Sequence, residues 1–163
     1  VLTALHHIFE AHAILATHGY VAVDFYDGSL IYDFANRRIT LCDCDSYHRG
    51  SFTNEMGRMF GSTRYMAPEE FERGATIDQR TTVFTLGRLM STFLGDGTLS
   101  RPMFRGTDAQ FDAMMCACQE RPDDRFGTVS SFFKAWSPAS GLAQGSLRQY
   151  DPNLHPTDRQ ADL

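Results

Sequence analysis

The sequence of 163 residues predicts a mainly α-helical fold with a small β-hairpin region. Apolar residues recur at helical spacing over about 2–17, and the stretch 83–94 is apolar on most faces of a helix. Between these two segments, the short β-prone runs 30–34 and 39–42 flank a turn at 36–38. The chain is long enough for one domain with its own core, so we expect a helical core with one hairpin beside it.

The first elements follow one another closely along the chain. Gly19 ends the first predicted helix, because glycine commonly follows the last residue of a helix. Residues 20–23 form a short β-prone run, and the polar stretch after it contains Asp27-Gly28, a turn signal. After the hairpin, residues 46–66 are long, polar and weakly periodic. A segment of that kind is usually functional or disordered.

The middle of the chain predicts a buried helix. Pro68 opens a short helical turn, where proline is tolerated because the first turn leaves its amide positions unpaired. Asp78 is a residue type that caps helices, and it stands just before the apolar stretch. Gly95-Asp96-Gly97 then ends that stretch. We therefore expect a central helix from about Asp78 to Leu94.

Two further helices complete the predicted domain. Periodic apolar residues indicate helices over 108–120 and 128–136, separated by a turn that carries Pro122. The remainder, 137–163, is rich in Pro, Gly, Ser, Asp and Gln, a composition typical of a tail or linker. The predicted domain is therefore 1–136.

Composition excludes several classes of protein. A net charge of −5 leaves no basic surface for nucleic acid, and no apolar run approaches the ~20 residues that span a bilayer. The cysteines form two C-x-C pairs rather than the C-x-x-C pairs typical of zinc sites. Reduced thiols indicate a cytoplasmic protein. The four cysteines are Cys42, Cys44, Cys116 and Cys118.

Three motifs occur in a fixed order. The first is Val21-Ala22-Val23-Asp24-Phe25-Tyr26-Asp27-Gly28-Ser29, the second is Leu41-Cys42-Asp43-Cys44-Asp45, and the third is Gly61-Ser62-Thr63-Arg64-Tyr65-Met66-Ala67-Pro68-Glu69. The third resembles the end of the activation segment of Ser/Thr protein kinases, including its A-P-E signature. Residues 78–87 resemble the buried helix that follows, and 121–126 resemble the turn whose Arg pairs with the A-P-E Glu. The resemblance extends over about 2–136 and implies a protein-kinase-like C-terminal lobe.

The resemblance assigns roles to five residues of the first two motifs. Asp24 matches the catalytic-loop Asp, which accepts the proton of the attacking hydroxyl in kinases. Asp43 matches the Asp of D-F-G, and Ser29 stands where kinases have an Asn; both would hold Mg²⁺ and the phosphates of ATP. Asp27 is a further candidate for an oxygen ligand of the metal. Asp45, which replaces the Gly of D-F-G, either is another such ligand or only alters the loop. A hairpin between the two motifs can bring Asp24 and Asp43 to one edge.

The third motif implies a place for the protein substrate and a structural ion pair. Ser62 would lie near the hydroxyl of the substrate that receives the phosphate. Glu69 would pair with Arg125 in the interior, with a structural role only. The implied cofactors are ATP and Mg²⁺, and the implied partners are ATP and a protein substrate.

Several positions depart from the kinase pattern. Ala22 and Val23 replace the His-Arg before the catalytic Asp, so a phosphorylated activation segment would lack its usual charge partner. Tyr26 replaces a Lys that contacts the γ-phosphate, and Thr82 replaces the buried Asp of the central helix. The network that supports the catalytic loop must therefore differ.

Upstream, no Gly-rich phosphate loop and no V-A-I-K-like strand precedes the first predicted helix. We therefore expect an N-terminal lobe to be missing from this chain, an exposed apolar face where that lobe docks, and no activity of the chain by itself.

Three functions remain open. The first is an ATP-dependent Ser/Thr protein kinase of which this chain is the larger lobe, and it is the favoured one because Asp24 and Asp43 are both retained. The second is a pseudokinase that binds or scaffolds without catalysis, which the departures favour. The third is a small-molecule kinase, against which the A-P-E segment counts. For either acid alone, a turn residue is the simpler interpretation; together with the third motif, the kinase interpretation prevails.

Overall fold

The computed structural model describes residues 1–140, with the side chains of residues 1–137. The described part of the chain contains four α-helices, which confirms the mainly helical prediction. They are α1 (Leu2–Thr17), α2 (Gln79–Phe93), α3 (Asp108–Ala117) and α4 (Val129–Ser140). Asp78 caps α2 as predicted, because its carboxylate accepts a hydrogen bond from the backbone N–H of Arg80 at 2.8 Å.

Within residues 1–140, six short strands form three two-stranded antiparallel sheets. The strands are β1 (Tyr20–Val21), β2 (Leu30–Asp33), β3 (Arg38–Leu41), β4 (His48–Arg49), β5 (Phe52–Thr53) and β6 (Thr76–Ile77). The predicted hairpin is the β2–β3 pair, in which Leu30 faces Leu41 and Asp33 faces Arg38. The other pairs are β1 with β4 and β5 with β6.

The segment 46–66 is more structured than its sequence suggests. It contains β4 and β5, whose partners are strands distant in sequence. Two-residue strands carry no periodicity that could reveal them. Pairing with β1 and β6 therefore orders a segment that we expected to lack structure of its own.

The core surrounds α2, as predicted for a central helix. Val83, Leu86 and Leu89 on this helix are fully buried. A Cβ atom at Gly87 would lie 2.8 Å from the Cβ of Ala117, so α3 approaches α2 closely only because this residue is glycine.

Helix α4 closes the core against α1. The ring of Phe9 lies 5.1 Å from the rings of Phe132 and Trp136 in edge-on contacts. Helix α4 continues through Ser140, beyond its predicted end at Trp136. The rest of the predicted tail, 141–163, lies outside the described residues.

Helix α3 ends at Ala117, three residues before its predicted end. Pro122 requires the residue before it to leave the helical conformation, and Arg121 is extended. The chain therefore uses 118–121 to enter the single 3₁₀ turn Pro122–Asp124.

Apolar surface is exposed on the β2–β3 hairpin. Ile31 and Phe34 expose 61% and 85% of their surface. These two side chains are the most exposed large apolar residues of the hairpin; whether they belong to a docking face for another lobe stays a prediction. No helix within residues 1–140 combines the length and the apolar character needed to cross a membrane.

Candidate functional site

Asp24 lies directly after the short strand β1 and two buried residues. Ala22 and Val23 are 4% and 8% exposed, so the backbone before Asp24 is fixed in the core. Asp24 itself has a φ of 57°, in the left-handed region that side chains other than glycine rarely adopt. The fold therefore holds this carboxylate in a strained conformation at the surface of the core.

Asp43 has the same unusual backbone. It follows β3 with φ 55° and ψ 39°, and it precedes the 3₁₀ turn Cys44–Ser46. Among the described residues, only Asp24, Arg37 and Asp43 have positive φ without being glycine. Strain of this kind clusters at functional sites. Two of the three strained residues are the carboxylates that the sequence singled out.

The β2–β3 hairpin brings the first two motifs together. The backbone N–H of Cys42 donates to the carbonyl oxygen of Ser29 at 2.8 Å, which places Ser29 next to the residue before Asp43. However, the Ser29 side chain is 1% exposed, and its hydroxyl has no hydrogen-bond partner in the described structure. In this conformation the Ser29 hydroxyl points away from solvent, which does not fit a metal ligand.

Asp24 and Ser62 line the same small cleft. Phe25, Met66 and Glu70 are among the other residues that line it, and in this conformation the cleft has no room for a water molecule. A Cβ atom at position 61 would lie 3.5 Å from Oδ1 of Asp24, and Gly61 has φ 144°. The positive φ and the nearby Met66 side chain, 3.2 Å from that Cβ position, favour glycine here, and the 3.5 Å distance shows that the third motif lies close to the carboxylate of the first.

The remaining candidate ligands lie apart from this cleft. Asp27 faces Arg64, with 3.5 Å between its Oδ2 and Nη2 of the arginine. Asp45 is exposed in the turn after Asp43. Within the described residues, no three His, Cys, Asp or Glu side chains form a group that could hold a metal ion. Asp43 and Asp45 are exposed and carry the oxygen atoms that Mg²⁺ prefers as ligands, whereas the hydroxyl of Ser29 is buried.

The predicted ion pair between Glu69 and Arg125 is present in the interior. The guanidinium donates two hydrogen bonds to the carboxylate, at 2.7 and 2.8 Å. Arg125 also donates to the carbonyl oxygens of Gln119 and Glu120, and the Thr81 hydroxyl donates to Glu69. The Glu69 carboxylate and the Arg125 guanidinium are therefore both paired and hydrogen-bonded, as a buried ion pair requires.

Val23, the residue before Asp24, belongs to a second apolar cluster. Its buried neighbours include Met59, Met66 and Ile77. Apolar packing therefore joins the segment that carries Asp24 to the segment that carries Ser62.

Thr82 on α2 supports the loop before Asp24. Its hydroxyl oxygen accepts a hydrogen bond from the backbone N–H of Ala22 at 2.9 Å, within the core. A neutral hydroxyl thus satisfies a buried backbone donor without a buried charge.

Asn54 is a residue of the site region that the sequence analysis missed. It is 1% exposed, and its amide bonds the backbone of Met56, Gly57 and Glu69. It also exchanges backbone hydrogen bonds with Gly74 and Ala75. No local sequence pattern indicates this role, because the partners of Asn54 come from three different parts of the chain, at 56–57, 69 and 74–75.

Glu70 is a second residue that the sequence did not reveal. It is 3% exposed in the cleft, and its carboxylate accepts a hydrogen bond from the backbone N–H of Ala67 at 2.6 Å. Burial raises the pKa of Glu70 to about 7, against the opposing hydrogen bond from Ala67; the charges of Glu69 and Asp24 add to the rise, and that of Arg125 opposes it. Asp24 therefore shares its cleft with a carboxyl group that is half protonated near neutral pH.

His12 is the third, and it lies on the buried face of α1. Its ring is 1% exposed and packs against Phe25, with 4.4 Å between ring centroids. Burial lowers the pKa of His12 to about 4, so the ring is neutral near pH 7. His12 falls within the helical period over 2–17, but no local pattern indicates that its ring lies beside the residue that follows Asp24.

Comparison with known proteins does not assign the chain to a family. No protein-family model matches it, and no curated protein is significantly similar to it.

Proposed function

We propose that this chain is the C-terminal lobe of a protein kinase, and that the whole protein transfers the γ-phosphate of ATP to a Ser or Thr hydroxyl of a protein. The observation that carries the proposal is the cleft in which Asp24 lies with Ser62. A carboxylate at this position can orient the hydroxyl of a substrate and accept its proton. The strained backbone at Asp24 and Asp43 supports it further.

The proposed role of Asp24 follows from its surroundings. Within the described structure its carboxylate makes no hydrogen bond, as a group that is to accept a proton from a substrate hydroxyl would require. The N–H of Ala22 is held by Thr82, which fixes the backbone just before Asp24. A positioned base of this kind typically contributes a rate factor of about 10²–10⁴.

Asp43 would bind the magnesium ion that is coordinated by the phosphates of ATP. Its carboxylate is exposed at the start of the 3₁₀ turn, with Asp45 two residues further on. Mg²⁺ would neutralise charge on the phosphates of ATP. The protein must also supply the Gly-rich loop and the strand lysine that this sequence lacks, so the proposal concerns the whole protein and not this chain alone.

The experiment uses the whole protein with labelled ATP, Mg²⁺ and a protein substrate. We expect Asp24→Asn to lower the transfer rate by about 10²-fold or more, and Asp43→Asn to weaken activation by Mg²⁺. Asp112→Asn is the matched control, because Asp112 is an exposed carboxylate on α3, which lies outside the cleft. Transfer that survives Asp24→Asn unchanged rejects the role of Asp24.

One observation favours the alternative of a pseudokinase. The hydroxyl of Ser29, which stands at the position of the second metal ligand in kinases, is buried. A binding module would keep the fold without needing this ligand. In that case the wild-type protein transfers no phosphate, and Asp24→Asn changes nothing that can be measured as transfer.

A further inference from the structure

One buried histidine touches both segments that carry the candidate carboxylates. The ring of His12 packs on Phe25, the residue immediately after Asp24. It also packs on Tyr47, with 5.8 Å between the centroids of the His12 and Tyr47 rings. Tyr47 is the first residue after the 3₁₀ turn that follows Asp43.

The hydrogen bonds of His12 define its tautomer. Nδ1 lies 2.8 Å from the carbonyl oxygen of Ile8, and Nε2 lies 2.8 Å from the hydroxyl of Tyr47. A carbonyl oxygen can only accept, so Nδ1 carries the hydrogen. Nε2 of the neutral ring therefore accepts, and the Tyr47 hydroxyl donates to it.

Tyr47 in turn fixes the turn after Asp43. Its backbone N–H donates to the carbonyl oxygen of Cys44 at 3.1 Å, which closes the 3₁₀ turn. The next residue, His48, pairs with Val21 in the β1–β4 sheet. The Tyr47 side chain therefore ties this turn to α1, while the backbone after it is tied to the strand before Asp24.

We propose that the His12–Tyr47 hydrogen bond positions Asp43 relative to Asp24 by fastening the turn after Asp43 to the helix that supports Phe25. His12 and Tyr47 are positioning residues, since neither is a candidate to touch ATP or the substrate. The positioning role rests on the proposed phosphoryl transfer, but the mechanical coupling does not.

The coupling is tested by NMR on the chain itself. In the wild-type protein, ¹⁵N shifts of the His12 ring should show hydrogen on Nδ1 and a bare Nε2 that accepts a hydrogen bond. Tyr47→Phe keeps the ring and removes only the donor. We expect the backbone amide of residue 47 to exchange with solvent about fivefold to tenfold faster in this variant, as the loss of one hydrogen bond predicts.

Variants of the histidine separate the bond from simple packing. Asn at position 12 keeps a group near Nδ1 but loses Nε2, whereas Gln places an acceptor near Nε2. We therefore expect His12→Asn to speed exchange at residue 47, and His12→Gln to restore part of the protection. His6→Asn is the matched control, because His6 is also buried on α1 but packs on Phe133.

A double variant shows whether the two residues act through one bond. If they do, Tyr47→Phe combined with His12→Asn changes exchange no more than the larger single effect. Hydrogen on Nε2 in the wild type, or equal exchange in Tyr47→Phe and wild type, overturns the coupling. The coupling is also overturned if His6→Asn speeds the exchange of the residue 47 amide as much as His12→Asn does.

Activity of the whole protein tests the positioning role. We expect Tyr47→Phe to lower kcat about tenfold with little change in KM for the protein substrate, and His12→Gln to be more active than His12→Asn. Unchanged kcat together with faster exchange overturns the positioning role and leaves the proposed function intact. If the wild type transfers no phosphate, the proposed function fails while the exchange data still support the coupling.

Discussion

The carboxylate of Glu69 and those of Asp24 and Asp43 lie in opposite environments. Glu69 is buried and bonded by Arg125 and Thr81. Within the described residues, the carboxylates of Asp24 and Asp43 have no hydrogen-bond partner, and their backbones are strained. One region has every charge satisfied, whereas the other keeps charges available at a cost in stability. That difference is typical of a structural anchor beside a functional site.

The Glu69–Arg125 ion pair gives the largest expected effect on the free energy of unfolding. Removing Arg125 with Arg125→Met leaves the Glu69 charge buried without its partner, so we expect the free energy of unfolding to fall by about 3–5 kcal/mol. Chemical denaturation followed by circular dichroism measures it. The control is Arg121→Met, because Arg121 is 79% exposed and 3.9 Å from Asp124. Such a pair contributes at most about 1 kcal/mol.

A variant that does not fold would still be informative. Glu69→Gln combined with Arg125→Met removes both charges, so we expect it to be more stable than Arg125→Met alone. If Arg125→Met costs no more than Arg121→Met, Glu69 and Arg125 do not anchor the fold, and the contrast between the two regions disappears.

Glu70, between the two regions, gives a pH-dependent effect. The pKa of Glu70 is about 7 in the folded state, against an ordinary value of 4.5. Between these two pH values, the carboxyl group of Glu70 keeps its proton in the folded chain and has lost it in the unfolded chain. The free energy of unfolding therefore falls as pH rises from 4.5 to 7, by up to ~3 kcal/mol from this group. Unfolding measured at several pH values shows the slope.

Glu70→Gln is the matching variant, because its amide oxygen can still accept the hydrogen bond from Ala67. We expect this variant to lose that part of the pH dependence and to be more stable than the wild type above pH 7. An identical pH dependence in both proteins would show that the carboxyl group of Glu70 is not neutral in the folded state.

Local signals predicted much of this structure. The apolar period gave α1 with both of its ends, and the turn at 36–38 gave the β2–β3 hairpin. Asp78 was recognised as a cap from its type and position. These features depend on residues close in sequence, where propensity and periodicity act directly. The Glu69–Arg125 pair, by contrast, came from the resemblance and not from spacing.

Other features depend on partners far along the chain. His12 forms a hydrogen bond with Tyr47, 35 residues away in sequence. Strand β4 pairs with β1, although the β2–β3 hairpin lies between them in sequence. The burial of Glu70 and of the Ser29 hydroxyl follows from how separate segments meet. A single sequence places residues on the buried face of a helix but does not say what they face. For this reason the candidate carboxylates were predicted and the residues that support them were not.

The smallest expected effect concerns the strained backbone at Asp43. Asp43→Gly relieves the left-handed conformation, and the added freedom of the unfolded chain offsets part of the gain. We expect a net rise of about 0.5 kcal/mol in the free energy of unfolding, measured by denaturation. In the whole protein the same change should abolish transfer, since it removes the proposed ligand of Mg²⁺.

Arg37→Gly is the matched control for strain without function. Arg37 has φ 52° in the turn of the same hairpin, and its side chain is exposed. We expect this variant to be stabilised at least as much as Asp43→Gly, because Asp tolerates this conformation better than Arg, and to keep full transfer activity. If Asp43→Gly instead destabilises the fold while Arg37→Gly stabilises it, the Asp43 carboxylate supports the structure, and Asp43 belongs with Glu69 rather than opposite it.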